Sequence, residues 1–307
     1  MSSRLRSKRT RSAAVSRTRL KASEAPPGSA PTDMTSPPRQ FAGRATPVRD
    51  ALDSARIAIA AAGSDTPDLD AQLLLAHALG VDRAALIMDP DRAVEGPAIR
   101  TFQHLVRRRS VEREPVAYLV GTKGFRHIDV HVDSRVLVPR PETELLVEVG
   151  LTLPPGARVH DACTGSGAVA LALKQERPDL VVSGSDASAE AVEVARANAR
   201  RLNLDVELVQ AELLDAASGA DAVLANPPYV EAGAKLPPEL AHEPPQALYA
   251  GADGLDVIRR MAAARRAPLL ALEVGAGQAQ AVAELVGGEV EILRDLAGIE
   301  RVVVSRR

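Results

Sequence analysis

From residue 157 to residue 304, short apolar segments alternate with longer Ala-rich or amphipathic segments. Seven short segments have the length and β-branched content of strands: 157–161, 180–186, 206–210, 222–225, 268–273, 290–293 and 301–304. The helices predicted between them end near residues 176, 202, 264 and 286. Repeated strand–helix units predict an α/β fold with a doubly wound, Rossmann-like seven-stranded sheet. Because only a short loop separates the final two strands, the last strand is predicted to be antiparallel.

The segment before this alternation has the pattern of a small helical domain. Its apolar stripes predict a helix that begins at Pro47 and further helices over 68–79, 84–88 and 97–112. Residues 115–138 then alternate apolar and polar side chains around Gly121 and Gly124, which predicts a β-hairpin linker. The prediction is therefore a helical domain over 46–114, a linker over 115–138 and an α/β domain over 139–307.

Charge is distributed unevenly along the chain. Residues 1–40 hold nine Lys or Arg against two acidic residues, a net charge of +7, which leaves −9 on residues 41–307 because the total is −2. Residues 1–45 are rich in Ser, Thr, Arg and Pro, and such a composition is typical of a disordered tail. Three interpretations of this basic tail stay open: a polyanion-binding arm, an organelle transit peptide, or residues that precede a true translation start at Met34.

Composition argues against several classes of protein. No apolar run approaches the roughly 18–20 residues of a membrane-spanning helix. The single cysteine, Cys163, excludes an internal disulfide framework and a Cys-rich metal site, so we expect no metal. With no Trp, three Phe, three Tyr and an acidic body, we expect neither membrane association nor sequence-specific nucleic-acid binding.

A glycine-rich turn follows the first predicted strand of the α/β domain. The run from Val159 to Gly167, Val-His-Asp-Ala-Cys-Thr-Gly-Ser-Gly, leaves a strand and enters a helix. Glycine allows a sharp turn and close approach of a ligand to the backbone. Asp186 ends the next strand, where a carboxylate can accept both hydroxyl protons of a ribose. These features predict an adenosine-containing ligand and leave NAD, FAD and S-adenosylmethionine open, with Cys163 interpreted as a small loop residue rather than a nucleophile.

A second turn, Asn226-Pro-Pro-Tyr229, follows the fourth strand of the sheet. Two prolines fix the backbone and remove two N–H donors, so the turn presents acceptors. The Asn226 side-chain oxygen and the Pro227 carbonyl can receive the two protons of a planar –NH2 group, while Pro228 and Tyr229 form a flat wall. This array favours a substrate with a planar amino group.

Together with the glycine turn and Asp186, the Asn226–Tyr229 turn resembles class I S-adenosylmethionine-dependent methyltransferases that act on planar amino groups. Three further stretches are similar to the release factor glutamine methyltransferases, the PrmC/HemK family: 114–125, 136–144 with its Pro-Arg-Pro-Glu-Thr-Glu run, and 243–256. The similarity covers residues 46–307 and implies that the helical domain over 46–114 is a substrate-binding domain.

The resemblance implies methylation of the glutamine side-chain amide in the Gly-Gly-Gln loop of peptide chain release factors, with S-adenosyl-L-methionine as cofactor. It assigns cofactor binding to Cys163, Thr164, Gly165, Ser166, Gly167, Asp186, Glu212, Leu213 and Asn226. It assigns substrate binding to Asn226, Pro227, Pro228 and Tyr229, and catalysis to Asn226, Pro227 and Tyr229. Family members can have Gly in place of Cys163 and an aromatic residue in place of Leu213. We expect a cytoplasmic monomer.

Other functions remain as alternatives to release factor methylation. A glutamine methyltransferase of a ribosomal protein would share the whole site, and a nucleic-acid adenine methyltransferase would use the same Asn-Pro-Pro-Tyr chemistry on a flipped base. A catalytically silent adapter would not need Asn226 and Asp186. An NAD-dependent dehydrogenase would leave residues 226–229 unexplained.

Overall fold

A computed structural model describes residues 45–307. The tail predicted for residues 1–45 therefore lies, except for Ala45, outside the described residues. Residues 45–307 belong to one compact unit. No helix among residues 45–307 is long and apolar enough to span a membrane.

The first part of the described chain is helical. Its helices are α1 (Val48–Ala61), α2 (Pro67–Leu79), α3 (Arg83–Met88), α4 (Gly96–Arg107) and α5 (Val116–Val120), and its two short paired strands are β1 (Thr46–Pro47) and β2 (Ala93–Val94). A π-helical turn, Arg108–Glu112, extends α4. Helix α2 ends at Gly80, whose left-handed conformation suits glycine. Pro47 precedes helix α1 as its N-cap rather than opening it, a shift of one residue from the prediction.

The predicted hairpin is present but shorter than the alternation of residues 115–138 indicated. Its strands are β3 (Thr122–Phe125) and β4 (Ile128–His131), paired antiparallel. Residues 116–120 form helix α5 instead of strand, beginning after Pro115 and ending at the left-handed Gly121. Residues 136–138 form no strand, although Val136 and Val138 are buried.

The large sheet has seven strands: β5 (Arg158–Ala162), β6 (Val181–Asp186), β7 (Glu207–Gln210), β8 (Ala222–Ala225), β9 (Leu269–Glu273), β10 (Glu289–Arg294) and β11 (Glu300–Arg306). Their order across the sheet is β10-β11-β9-β8-β5-β6-β7. The last strand, β11, lies between β9 and β10 and is antiparallel to both, as predicted. The other adjacent pairs are parallel, which confirms the Rossmann-like α/β fold.

Helices cover both faces of this sheet. They are α6 (Glu144–Leu151), α7 (Ala168–Glu176) and α8 (Ala189–Leu202) on one face, with α9 (Asp256–Ala264) and α10 (Ala279–Val286) on the other. Strand β8 shows why both faces are apolar: Ala222 and Leu224 enter one core, and Val223 and Ala225 enter the other. A third core lies within the helical region.

The connection from β8 to α9 is long and folds back on itself. Val230 and Tyr249 form an isolated bridge that closes the loop, and the loop contains a short 3-10 helix, Pro238–His242. Glu239 in that helix accepts hydrogen bonds from Arg109 and Arg113 of the helical region, at 2.8 and 2.6 Å. The loop that follows the Asn226–Tyr229 turn is therefore held against the helical region by ion pairs of Glu239 with Arg109 and Arg113.

Candidate active site

A cavity of about 330 Å³ lies at the carboxyl ends of four neighbouring strands, β8, β5, β6 and β7. Ligands of doubly wound sheets bind at this edge, because the loops leaving the strands diverge there. The loops after all four strands contribute to the lining, together with the segments 135–143 and 244–247 and two residues of helix α9. The cavity thus gathers side chains from most of the regions that the sequence motifs singled out.

The two glycines of the turn after β5 serve different purposes. Gly165 lines the cavity at φ +54°, and a Cβ built on it would meet no atom within 4 Å. A Cβ on Gly167 would instead lie 3.0 Å from the Leu171 side chain and 3.2 Å from Cβ of Ala195. Gly165 therefore leaves open space for a ligand, whereas Gly167 allows helices α7 and α8 to pack closely. Of the turn residues assigned to the cofactor, Gly167 alone is not part of the cavity wall.

Two other residues of the cavity wall have backbone conformations that side chains rarely adopt. Cys163 has φ +58° and Leu213 has φ +44°, in the left-handed region where a Cβ costs about 1–2 kcal/mol. Such strain is concentrated at functional sites in proteins. Burial raises the pKa of the Cys163 thiol, so the group remains protonated and is not a thiolate nucleophile.

Buried Asp161 holds the turn in shape. Its Oδ2 accepts a hydrogen bond from the Thr164 hydroxyl at 2.6 Å and another from the Ala170 backbone N–H at 3.2 Å. Burial raises the pKa of Asp161 to about 7, despite these two hydrogen bonds. Asp161 was not assigned a role from the sequence, although its carboxyl group and that of Asp186 both border the cavity.

Asp186 is fixed against the glycine turn by backbone donors. Its Oδ2 accepts from the Gly165 N–H and its Oδ1 from the Ser188 N–H, each at 2.9 Å. Burial raises the pKa of Asp186 above the ordinary range of a carboxyl group. Each carboxylate oxygen retains capacity for another hydrogen bond, so the group can receive a pair of hydroxyl protons.

Glu212 and Leu213 follow β7 and line the same cavity as Asp186. Glu212 Oε1 accepts a hydrogen bond from Arg260 Nη2 at 2.8 Å, and Arg260 itself lines the cavity from helix α9. Leu213 is half-buried and packs against the core beneath α9. No pattern in the sequence indicated that Arg260 lines the cavity.

The Asn226–Tyr229 turn contributes Asn226 and Pro228 to the cavity wall. Asn226 Nδ2 donates to the Thr143 hydroxyl oxygen at 3.2 Å. The amide oxygen, Oδ1, therefore does not bond to Thr143. Pro227 is buried and is not a lining residue, and its carbonyl accepts no hydrogen bond from any residue in 45–307. Tyr229 is not part of the wall: its hydroxyl donates to Glu273 Oε1 at 3.3 Å. The structure therefore brings Asn226 to the cavity, but it does not place the Tyr229 ring there.

Two residues at the site had no role assigned from the sequence. Thr143 lies in the Pro-Arg-Pro-Glu-Thr-Glu run and is 4% exposed, and Glu273 ends strand β9 and is 1% exposed. Burial raises the pKa of Glu273 to about 7. The sequence signal for Glu273 was a charged residue at the end of an otherwise apolar strand beside β8. Within residues 45–307 there is no cluster of His, Cys, Asp and Glu that could hold a metal ion.

Comparison with known proteins gives matches over both parts of the described chain. The PrmC N-terminal domain model matches residues 50–121, and the methyltransferase small domain model matches residues 140–284. A release factor glutamine methyltransferase of Mycolicibacterium smegmatis is 44% identical over 71% of this chain and 79% of its own length. Proteins of the same name from Rhodospirillum rubrum and Deinococcus radiodurans are 40% and 38% identical, over 83% and 85% of this chain and 84% and 98% of their own lengths.

Proposed function

The chain belongs to the release factor glutamine methyltransferase family, and we propose that it methylates the side-chain amide nitrogen of the glutamine in the Gly-Gly-Gln motif of peptide chain release factors. It is a methyltransferase enzyme that uses S-adenosylmethionine. The observation that carries the proposed reaction is the orientation of Asn226. Because its –NH2 group donates to Thr143, its Oδ1 atom is available to accept from an amide brought into the cavity.

The residues of the cavity fit S-adenosylmethionine. The cavity of about 330 Å³ is within the usual size of small-molecule sites. Gly165 leaves space where a side chain would project, and Asp186 holds two oriented oxygens for a ribose. We propose that Cys163, Thr164, Gly165, Ser166, Asp186, Glu212 and Leu213 contact the cofactor, with Gly167 acting through helix packing.

The chemistry requires an amide nitrogen, a weak nucleophile because its lone pair is delocalised into the carbonyl, to attack a methyl group. S-adenosylmethionine would supply that methyl group from its sulfonium: the N–CH3 bond would form as the S–CH3 bond breaks, S-adenosylhomocysteine would leave, and the amide nitrogen would lose one of its two protons to water. Asn226 Oδ1 and the Pro227 carbonyl would hold the two N–H groups of the glutamine amide and orient the nitrogen, a positioning effect that can contribute several kcal/mol. The same two acceptors would stabilise positive charge that develops on nitrogen, just as the donors of an oxyanion hole stabilise developing negative charge.

We propose that the two parts of the described chain have different roles in the reaction. Residues 46–114 would grip the release factor and residues 139–307 would hold the cofactor, with 115–138 as linker. We also propose that the protein acts as a monomer in the cytoplasm and does not read nucleic-acid sequence. The charge of −9 on residues 41–307 supports the last point, because nucleic-acid enzymes usually carry a basic surface.

The test is to incubate the purified full-length chain with labelled S-adenosylmethionine and purified release factors, then to map the modified residue by mass spectrometry. The matched control is the same release factor with its Gly-Gly-Gln glutamine changed to alanine. The expected result is one methyl group on the side-chain nitrogen of that glutamine and no label on the control. Parallel incubations contain ribosomal proteins or nucleic acid instead of release factors. Label in one of these, with none on the release factor, would overturn the proposal and select one of the alternative substrates.

A separate prediction concerns Asn226 itself. Asn226→Ala removes the acceptor oxygen but leaves the cofactor cavity largely intact, so we expect kcat for methyl transfer to fall by at least about 100-fold. The affinity for S-adenosylhomocysteine, measured by calorimetry on the same preparation, should fall less than about tenfold. Equal loss of activity and affinity would assign Asn226 to cofactor binding alone.

A further inference from the structure

The end of the cavity beside strand β7 has two walls. The loop after β7 contributes Glu212 and Leu213, and helix α9 contributes Val257 and Arg260. Val257 and Arg260 are three positions apart, so they lie on the same face of the helix. Strand β7 is next to β6, which ends at Asp186, and neighbouring strands lie about 5 Å apart. A base attached to a ribose on Asp186 would therefore reach these two walls.

Arg260 is held at this end of the cavity by an ion pair with Glu212. Its Nη2 atom donates to Glu212 Oε1 at 2.8 Å, which joins helix α9 to the loop after β7. The two side chains are 57% and 50% exposed, and so exposed a pair stabilises a fold little. A guanidinium group that one partner already holds loses less freedom when a ligand binds against it. The position of Arg260 is therefore explained better by a ligand in the cavity than by folding.

An adenine in this cavity would find no aromatic ring to stack on. Among residues 45–307, no aromatic side chain lines the cavity, and Leu213 presents an aliphatic side chain there. The basic lining residues are Arg260 and Arg135, and Arg135 donates to Asp133 at 2.7 Å, away from β7 in the chain segment before α6. A guanidinium group is flat, delocalised and weakly hydrated, so it stacks well on aromatic faces. Arg260 is thus the lining residue best suited to cover an adenine.

We propose that Arg260 is a cofactor-binding residue whose guanidinium group stacks on the adenine of S-adenosylmethionine, and that Glu212 orients this guanidinium group. Leu213 and Val257 supply apolar contacts around the ring. The inference rests on the proposed function, because it uses the cofactor site assigned there. It extends that site from the loops at the strand ends to helix α9, and it explains how the chain binds adenine without an aromatic side chain in the cavity wall.

The neighbouring residue, Arg259, provides a matched control. It lies on the same helix and is also partly exposed, but it does not line the cavity. Its Nη1 atom donates to Asp253 Oδ1 and to Asp256 Oδ1, each at 3.0 Å. Arg259→Ala therefore removes the same charge and one ion-paired guanidinium group from helix α9, as Arg260→Ala does, without changing the cavity wall.

The first test measures the affinity of the full-length chain for S-adenosylhomocysteine by calorimetry. Arg260→Ala should weaken binding about 5- to 20-fold, the range of a guanidinium–ring contact. Arg260→Lys keeps the charge but loses the flat group, so it should still weaken binding by about threefold or more. Arg259→Ala should stay within about twofold of the wild type. Wild-type affinity in Arg260→Ala or in Arg260→Lys would overturn the inference.

Thermal unfolding without ligand separates this role from a structural one. Arg260→Ala and Arg259→Ala should have similar unfolding temperatures, because each loses one exposed ion pair. In the Glu212→Ala background, Arg260→Ala should weaken S-adenosylhomocysteine binding less than it does alone, because the guanidinium group is no longer oriented. Equal effects of Arg260→Ala with and without Glu212 would overturn the role given to Glu212. A large loss of stability in Arg260→Ala with wild-type affinity would assign the pair to folding.

A second readout observes the contact directly. In the complex of isotope-labelled chain with S-adenosylhomocysteine, nuclear Overhauser effects should connect adenine H2 or H8 with the δ protons of Arg260, and none should reach Arg259. Their absence at Arg260 would overturn the inference. Because these experiments need no release factor, such a failure leaves the proposed function standing, whereas a wild-type chain that does not bind S-adenosylhomocysteine would overturn both.

Discussion

Gly165 and Gly167 are two residues apart in one turn, yet a methyl group at each should have a different effect. Gly165→Ala places Cβ in open space at positive φ, so we expect a stability loss of about 1–2 kcal/mol and at least a 10-fold loss of S-adenosylhomocysteine affinity. Gly167→Ala forces Cβ against Leu171 and Ala195, so the larger loss should be in stability. Thermal unfolding measures the stability of the two variants, and calorimetry measures their S-adenosylhomocysteine affinity. A larger stability loss in Gly165→Ala together with a larger affinity loss in Gly167→Ala would contradict the roles assigned to the two glycines.

The buried carboxyl group of Glu273 should make stability depend on pH. Burial raises its pKa from an ordinary 4.5 to about 7. A carboxyl group with a raised folded-state pKa costs nothing below the unfolded pKa, and the cost grows as the pH rises from 4.5 to 7. Relative to wild type, Glu273→Gln should therefore gain on the order of 2–3 kcal/mol in unfolding free energy between pH 5 and pH 8.

Denaturant unfolding at both pH values measures this change, with Glu289→Gln as the control that should show no such trend. A gain that is equal at the two pH values would mean that Glu273 is not buried as a titrating carboxyl group.

At the scale of elements, the loop between β8 and α9 connects the active site to the helical region. Arg109 is buried and donates to Asp70 at 2.7 Å as well as to Glu239 in this loop. Glu243, buried farther along the same loop, accepts from Arg140 at 2.5 Å. The segment that follows the Asn226–Tyr229 turn is thus held by ion pairs from two other parts of the chain, so its position should depend on both.

Removing one of these ion pairs should affect substrate use more than cofactor binding. Glu239→Ala leaves Arg109 and Arg113 without their shared partner, so we expect a stability loss of about 1–3 kcal/mol. We also expect kcat/KM for the release factor to fall several-fold, with S-adenosylhomocysteine affinity unchanged. Glu284→Ala, on the exposed face of α10, is the control. Unchanged kcat/KM in a destabilised Glu239→Ala would show that this contact is purely structural.

Elements with strong local patterns could be predicted from the sequence. The seven strands lie within one or two residues of their predicted positions, because each is an apolar run bounded by clear breaks. Helix α5 was mistaken for strand because its five residues, Val-Ala-Tyr-Leu-Val, are too few for helical periodicity and rich in strand-forming types. The apolar pattern of residues 136–138 reflects the burial of Val136 and Val138, not pairing with another strand.

At the scale of the whole molecule, the position of the cavity could be predicted from the sequence, but the side-chain contacts around it could not. The glycine turn, Asp186 and Asn226 follow strand ends, and the topology of a parallel sheet brings strand ends together. The contact between Asn226 and Thr143 joins residues 83 positions apart, and that between Tyr229 and Glu273 joins residues 44 apart. No local pattern specifies such pairs. For the same reason, the sequence could not show that the Tyr229 hydroxyl bonds to Glu273.

The account depends on one geometric claim: the Asn226 side-chain oxygen accepts a hydrogen bond from the amide that is methylated. A crystal structure of the chain with S-adenosylhomocysteine and a peptide containing Gly-Gly-Gln measures this directly. We predict that the glutamine side-chain nitrogen lies within about 3.2 Å of both Asn226 Oδ1 and the Pro227 carbonyl oxygen, a normal hydrogen-bond distance. A glutamine amide bound elsewhere, or one whose nitrogen faces Asn226 Nδ2, would contradict the account.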